Sequence, residues 1–381
     1  MNDFLKMIEG WEGFNPVGSS RISEAALAKF VDLFTNAQGM PAHRQEYLIR
    51  ESVTTSDFPY LFGQVLDRSM LARYRAAASP WRSYVKTGKL RDFRAATLHK
   101  LVGSDGLLAV VPEKTEYPGT SQSTGYYSHQ LYKRGRSFDI SWESLINDAM
   151  DAFGDIPQRF ADAALNTEAI LATGIYAITG GPNTALFGAT ISDVDGQAIT
   201  NKGTLALTMA NLEATLALMT AQTDLTGNPL SIRASHLVVP PALEMTARTI
   251  LTSALKVYVD TVGGANASTP AYVPMPTNSI IPQMGLQLHI DPWLPIVDTS
   301  AGKNKTWYLF SDQGNWGQVD FLTGHESPEI CMKASNKVAV GGGPINQFEG
   351  DFDSDNVLYR VRHVLGATPF DPRYAYAQVG T

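Results

Sequence analysis

The chain has 381 residues, enough for a substantial hydrophobic core without disulfides or structural metal. Its single cysteine, Cys331, excludes an internal disulfide and a multi-cysteine metal centre. The net charge of -7 excludes a protein that is basic throughout, as many nucleic-acid binders are. Charged residues make up 18% of the chain against about 25% in a typical soluble domain, so the chain is short of charge.

Positive charge is concentrated in one segment. Between residues 65 and 105 nine cations stand against three aspartates, a local charge of +6, and the remainder carries -13. Backbone contact with nucleic acid needs only cations, and the alternative is an ordinary solvated face. The candidate DNA-facing residues are Arg68, Arg73, Arg75, Arg82, Lys86, Lys89, Arg91 and Arg94.

The first hundred residues are predicted to form an arm. A helix begins at Ser23 and ends at Gly39-Met40-Pro41, and a second helix runs from about Tyr60 to Ala78. Trp81 to Lys100 then mixes aromatic side chains with cations, which is typical of a segment that lies across another surface. No apolar run approaches 18 residues, so neither a signal peptide nor a membrane span is predicted.

A long connection follows the arm. Leu107 to Val111 is a predicted strand and Tyr126 to Tyr132 a second one. The connection from Pro112 to Gly125 contains almost no core-forming residues, and such loops are uncommon inside a compact domain. We therefore expect this loop to contact a neighbouring molecule.

The most periodic segment begins at Ser141, the predicted cap of a helix that continues to Ile178. At 1.5 Å per residue it would span roughly 55 Å, which makes it a spine for the fold. Gly154 and Pro157 lie within it, so a kink is expected near Phe153.

A second unit is predicted after a loop from Gly180 to Gly203, and its elements alternate without a regular β-α-β rhythm. The predicted class is therefore α+β. The elements are a helix from Leu205 to Ala221, a strand from Ser235 to Val239, a helix opened by Pro240-Pro241, an irregular loop from Asp260 to Gln283, and strands Leu286–Ile290, Trp307–Phe310, Glu329–Met332 and Val357–Leu365.

The motifs of common enzymes fail in this chain. Asp351, Asp353 and Asp355 imitate an EF-hand start, but the sixth and twelfth positions hold Asn356 and Arg362, so a solvated turn is favoured. The seven histidines are isolated in sequence, and neither a nucleophile elbow nor a phosphate loop occurs. A hydrolase using these aspartates stays a minor alternative, and we predict that the chain is not an enzyme and holds no cofactor or metal.

Several segments in order resemble the major capsid proteins of tailed bacteriophages, especially the Mu-like major head subunit group. The resemblance covers roughly residues 54 to 381 and depends on the order of its motifs. These are TTSDFPYLF at Thr54–Phe62, YKRGRSFDISWE at Tyr132–Glu143, Asn147 and Asp148 with Ile156 and Pro157, and YRVRH at Tyr359–His363 with Gly366 and Ala367.

The resemblance implies a capsid fold in five segments. They are an N-terminal arm (1–107), an extended β-hairpin loop over a neighbouring subunit (108–138), a peripheral domain with the spine helix (139–205), an axial domain around the symmetry axes (206–324), and the C-terminal strands of the peripheral domain (325–381). Loop residues expected at the contact between subunits are Lys114, Tyr117, Tyr126, Tyr127, Lys133 and Arg134.

The resemblance also implies a function and partners. The subunit would assemble with itself as pentamers and hexamers into an icosahedral shell around double-stranded DNA, in the host cytoplasm. A separate scaffold protein, a portal and a decoration protein are the implied partners. Lysine-asparagine cross-links occur in some members, but Lys114 and Lys133 with Asn346 and Asn356 do not match that motif, so none is predicted. The alternative function is an encapsulin-type nanocompartment shell that encloses protein cargo.

Overall fold

The fold is given by a computed structural model of the chain. Contacts divide the chain into two compact units, one of residues 1–69, 137–157 and 330–360 and the other of residues 70–136, 158–329 and 361–381. The structure describes residues 70–77, 79–102, 108, 110–119, 122–141, 150–253, 255–262, 271–278, 281–333, 335–337, 340, 351–354 and 356–380.

Several expectations lie outside the described residues. They are the helix from Ser23 to Gly39, the motif Thr54–Phe62, Arg68, Asn346, and the first part of the spine at residues 142–149. Of the predicted helix from Tyr60 to Ala78, residues 70–76 are described and are helical.

Beyond residue 149, the α-helices of the described part of the chain become shorter in chain order, from 27 residues to 4. The α-helices are α1 (Met150–Tyr176), α2 (Met209–Thr220), α3 (Glu244–Thr252) and the one-turn α4 (Leu294–Val297). Single 3-10 turns occur at Pro80–Ser83, Pro241–Leu243, Ile281–Met284 and Pro372–Tyr374.

The strands are short except for two. They are β1 (Lys86–Leu90), β2 (Ala96–Val102), β3 (Ser123–His129), β4 (Tyr132–Ser141), β5 (Ala177–Ile178), β6 (Gly181–Pro182), β7 (Ile191–Ser192), β8 (Ala198–Ile199), β9 (Lys202–Gly203), β10 (His236–Val239), β11 (Leu255–Val262), β12 (Ala271–Asn278), β13 (Gln287–Ile290), β14 (Trp307–Phe310), β15 (Gly317–Leu322), β16 (Glu329–Met332), β17 (Asn356–Pro369) and β18 (Ala375–Gln378).

Two larger sheets organise these strands. One has the order β1-β15-β17-β16, with β4 also paired to β17. The other has the order β13-β10-β14-β18-β9 and mixes parallel and antiparallel pairs. Hairpins β2–β3 and β11–β12 stand as separate two-stranded pairs. With helices mixed among them, these sheets confirm the α+β class.

The second sheet is buried on both faces. Along β14, Trp307 and Leu309 pack into one hydrophobic cluster while Tyr308 and Phe310 pack into another. Successive side chains on a strand point to opposite faces, so a strand covered on both sides is apolar throughout. This is why the run WYLF is predicted so closely from the sequence, with the same bounds in the structure.

The spine is confirmed over its described part. Helix α1 ends at Tyr176, because residues 177 and 178 pair with β6 instead of continuing the helix. Its 27 residues span about 40 Å at 1.5 Å per residue. The helix continues through Pro157, and the kink near Phe153 stays a prediction.

The five strands predicted after residue 203 are all confirmed. Strands β10, β13, β14 and β16 lie within a residue of their predicted bounds, and β17 extends the predicted strand at both ends. Helix α2 begins later than expected, at Met209, because the Thr208 hydroxyl accepts a hydrogen bond from the Asn211 N–H and caps it.

The prediction of an irregular loop from Asp260 to Gln283 is wrong. Its described residues include the hairpin β11–β12, in which Val259 pairs with Pro274 and Val257 with Pro276. Alternate N–H groups of a two-stranded ladder face away from the partner strand. Two prolines spaced two residues apart can therefore both occupy positions whose N–H groups would face away from the partner strand.

The strand predicted at Leu107 to Val111 is also wrong. The described residues 108, 110 and 111 lie outside any strand, and the partner of β3 is the earlier strand β2. In β2, whose sequence is ATLHKLV, Leu98 and Leu101 lie on opposite faces and both are exposed, so the usual signal of a core strand is missing.

Candidate functional site

The β2–β3 hairpin has two chemically different faces. Residues directly opposite each other share a face, and the pairs Leu98 with Tyr127 and Lys100 with Gly125 define the face that we call the inner face. The pairs on the other side, which we call the outer face, are Thr97 with Ser128, His99 with Tyr126 and Leu101 with Thr124.

The inner face is held by polar contacts within the subunit. The Lys100 ammonium lies 2.9 Å from Asp371 Oδ2, and His129 Nδ1 lies 2.7 Å from Asp320 Oδ2. The Tyr127 hydroxyl donates a hydrogen bond to Asp193. The inner face therefore attaches the hairpin to the rest of the subunit.

The outer face and the following loop expose large apolar side chains. Leu101 is 74% exposed and Tyr126 is 62% exposed. In the loop Leu108, Val110 and Tyr117 are 99%, 95% and 81% exposed. Large apolar side chains left this exposed on one hairpin and its loop are typical of a surface that contacts another molecule.

The six loop residues predicted at a subunit contact take different positions. Tyr117, Tyr126, Lys133 and Arg134 are exposed, and so is Lys114, whose backbone has a φ of 65°. Tyr127 is half-buried, because its ring packs edge-on against Phe370 and its hydroxyl binds Asp193. Within the subunit Tyr127 thus anchors the hairpin, and its contact with a neighbour stays a prediction.

The candidate DNA-facing cations divide into paired and exposed groups. Arg73 pairs with Asp162 at 3.2 Å, Arg82 with the buried Glu168 at 2.9 Å, and Lys89 with Glu326 at 2.8 Å. The exposed group consists of Arg75, Lys86, Arg91 and Arg94.

Glu168, on α1, is the buried centre of a polar cluster. Its carboxylate accepts hydrogen bonds from Arg82 Nη2 at 2.9 Å and from the Tyr74 hydroxyl, and it lies 2.9 Å from His363 Nε2. Burial alone raises the pKa of Glu168, but the hydrogen bonds from His363, Tyr74 and Arg82 outweigh burial and leave the pKa below its ordinary value. Arg82 therefore has a structural role.

Two histidines that are far apart in sequence meet at the edge of the second sheet. His236 Nδ1 lies 3.0 Å from His289 Nε2, and His236 Nε2 lies 2.9 Å from Asp312 Oδ1. Burial and the neighbouring His236 lower the pKa of His289 to about 4, so His289 is neutral near pH 7. Only the pairing of β10 with β13 brings the two rings together, so sequence spacing could not reveal them.

The aspartates that imitated a calcium loop form a turn where they are described. Residues 352–354 are a turn, Asp353 is exposed, and Asp351 pairs with Lys333 at 3.0 Å, while Asp355 lies outside the described residues. Among the residues that the structure describes, no group of three or more acidic, histidine or cysteine side chains could hold a metal ion. In the same part of the chain no helix is long and apolar enough to cross a membrane.

Asp371 gives the Lys100 cluster a pH dependence. Burial and the nearby Asp193 raise the pKa of Asp371 to about 7, although Lys100 lowers it. An unfolded chain loses this proton near pH 4, so the contribution of Asp371 to stability is largest at low pH and is lost as the pH rises towards 7.

The free energy of unfolding is measured for the wild type and for Asp371→Asn, and the variant value is subtracted from the wild-type value. We expect this difference to fall by on the order of 2 kcal/mol between pH 5 and pH 8. Urea unfolding of both proteins across that range measures it. A difference that rises with pH would show instead that Lys100 and Arg373 keep Asp371 ionised.

An anchored hairpin with exposed apolar side chains on its outer face is typical of a structural subunit that assembles with other chains. The family model described as phage capsid protein matches residues 126–378, more than half of the chain. The chain belongs to the phage capsid protein family. Its function is structural, in self-assembly into the capsid of the virion. The narrower likeness to the Mu-like group stays a prediction.

The solved structures that match the chain have low sequence identity to it. A structure from Microbacterium phage Oxtober96 is 12% identical, covers 80% of this chain and 91% of its own, and has a TM-score of 0.46. The capsid of an empty GTA particle computed with C5 symmetry is 12% identical, covers 80% and 90%, and has a TM-score of 0.47. A virus-like particle from Pyrococcus furiosus is 10% identical, covers 83% and 99%, and has a TM-score of 0.38. No curated protein matches the chain.

Proposed function

We propose that the chain is the major head subunit of a tailed phage and that pentamers and hexamers of it close an icosahedral shell around double-stranded DNA. The exposed apolar outer face of the β2–β3 hairpin and its loop is the observation that carries this proposal. Overlapping extensions of this kind enlarge the otherwise small contacts between flat shell subunits.

The proposal includes the five segments that the resemblance implies, up to the C-terminal strands at residues 325–381, except that the arm ends before residue 96 instead of at residue 107. It also includes a separate scaffold protein, a portal and assembly in the host cytoplasm. The described hairpin begins at Ala96, so the extended loop starts earlier in our proposal than residue 108.

Electron microscopy of the full chain expressed with the other head proteins tests the shell. Closed particles with pentameric and hexameric units are expected. A chain that remains monomeric with all head proteins present would contradict the proposal. Particles that enclose protein and no nucleic acid would favour the nanocompartment instead.

DNA contact is proposed for the exposed group of cations. Because Arg73, Arg82 and Lys89 are paired within the subunit, the test variant is the triple Arg75→Gln, Arg91→Gln, Arg94→Gln. The plot of log affinity against log salt has a negative slope, and each lost phosphate contact reduces its magnitude by about 1. We therefore expect the triple variant to reduce the magnitude of the slope by about 3. Titration of the subunit with duplex DNA at several salt concentrations measures the slope.

The matched control removes three exposed cations elsewhere, at Arg233, Lys303 and Lys305. This control should leave the slope nearly unchanged. Equal losses in the two triple variants would show that the contact is general surface charge and would remove the assignment of DNA contact to the arm.

A further inference from the structure

The inner face of the hairpin is seated on an acidic notch, which we define as Asp193, Asp195 and Asp371. Asp193 and Asp195 lie in the turn between β7 and β8, and Asp371 precedes the last 3-10 turn. The Lys100 ammonium contacts all three carboxylates, with 2.5 Å to Asp193, 3.3 Å to Asp195 and 2.9 Å to Asp371.

A second cation, Arg373, forms ion pairs with the same three carboxylates. Its guanidinium makes two-pronged contact with Asp371, with Nε at 2.9 Å from Oδ1 and Nη2 at 2.6 Å from Oδ2. It also reaches Asp193 at 3.2 Å and Asp195 at 3.3 Å. Without Lys100, the three carboxylates of the notch would share the single cation of Arg373. The side chains of Arg373 and of the three aspartates are buried, so water screens their charges little.

Charge balance therefore depends on the hairpin. Three carboxylates and one guanidinium carry a net charge of -2 when all are ionised, and Lys100 reduces this to -1. Uncompensated charge in a buried position is strongly unfavourable, so the notch favours the conformation in which Lys100 is bound. Protonation of a carboxylate would relieve the same excess of negative charge, and the raised pKa of Asp371 favours it.

The backbone of the hairpin fits this seat closely. Gly125 lies directly opposite Lys100, and a Cβ atom at Gly125 would stand 2.7 Å from the Val194 carbonyl oxygen. Tyr127, the next inner-face residue of β3, donates its hydroxyl to Asp193. The seat thus combines close backbone contact with charge, and it leaves Leu101 and Tyr126 on the opposite side.

We propose that Lys100 is a positioning residue for assembly: by occupying the acidic notch it fixes the direction in which the outer face of the hairpin is presented to a neighbouring copy of the chain. The assembly part of this inference rests on the proposed shell function, whereas the seating of the hairpin is a property of the single subunit. The two parts are therefore tested separately.

The first test measures the seating in the unassembled full chain. Spin labels are placed at Thr97→Cys on the hairpin and Ala214→Cys on α2, both exposed, in a Cys331→Ser background. Electron–electron double resonance should give one narrow distance for the parent. Lys100→Met should give a broad distribution, while Lys303→Met, at an exposed lysine outside the hairpin and the notch, and Lys100→Arg should stay narrow.

A narrow distribution for Lys100→Met overturns the proposal. If the Lys100→Met variant fails to fold, the double variant Lys100→Met, Asp371→Asn is measured in its place. The double variant removes one positive and one negative charge. The double variant is still expected to be broad, because the hairpin has lost its cation. A narrow distribution there overturns the proposal as well.

The second test measures assembly of the unlabelled chains with the other head proteins. We expect Lys100→Met to lower the yield of closed particles about tenfold, whereas Lys303→Met assembles as wild type does. Normal assembly by a Lys100→Met subunit with a broad distance distribution overturns the positioning role. Failure of the wild type to form shells counts against the proposed function and leaves the seating result intact.

Discussion

Replacing Glu168 with alanine is expected to lower the free energy of unfolding of the subunit by about 3 kcal/mol, since it leaves buried polar partners without their acceptor. Glu168 is 0% exposed and receives Arg82, Tyr74 and His363 together. Arg82 is itself nearly half exposed and can return to water, so the effect lies at the lower end for a broken buried pair. Chemical denaturation of the unassembled subunit measures it.

The chain offers a matched control in Asp162→Asn. Asp162 lies on α1, as Glu168 does, and the substitution breaks its ion pair with Arg73. Both side chains of that pair are about half exposed, so we expect less than about 1 kcal/mol. Equal effects of the two substitutions would show that the Glu168 cluster is no stronger than a surface pair.

The pKa of Glu168 sets the direction of the pH dependence. Because this pKa lies below its ordinary value in the folded chain, the stabilisation is present at neutral pH and is lost as the pH falls through the acidic range. The loss caused by Glu168→Ala should therefore be smaller at acidic than at neutral pH. An effect that grows on acidification would contradict the assigned hydrogen bonds.

The sequence predicts those elements that contribute to the core of one subunit. Strands β10 and β14 are nearly continuous apolar runs, and α1 keeps one face at helical spacing. Such patterns record burial within the chain, and both core clusters contain these strands. Their bounds follow closely from the residues.

Strand β2 escapes prediction for the opposite reason. Leu98 and Leu101 are exposed in the subunit, and Lys100 is directed into a cluster of charge rather than into an apolar core. Periodicity therefore carries no signal that separates β2 from a solvated arm. A strand whose apolar side chains await a partner resembles a loop when its sequence is read alone.

The polar clusters escape prediction because their members lie far apart along the chain. Lys100 meets Asp371 across 271 residues, and Glu168 meets His363 across 195. No local spacing encodes such contacts. They also refine the shortage of charge, because Glu168, Asp193 and Arg373 are buried within the subunit, which leaves still fewer charges for its surface.

The outer face of the hairpin gives the largest expected effect on assembly. The double variant Leu101→Asp, Tyr126→Asp places two charges on the surface that the proposed contact with a neighbouring copy would bury. Burying unpaired carboxylates costs several kcal/mol at each contact, and a shell repeats the contact many times. We therefore expect closed particles to be absent in electron micrographs.

The unassembled subunit should nevertheless remain folded, because both side chains are exposed and the Lys100 seat lies on the other face. Circular dichroism and the unfolding midpoint measure this. The conservative pair Leu101→Met, Tyr126→Phe keeps the apolar character and should assemble as wild type does. Normal shells from the aspartate variant would show that the outer face stays exposed in the capsid and that subunits meet elsewhere.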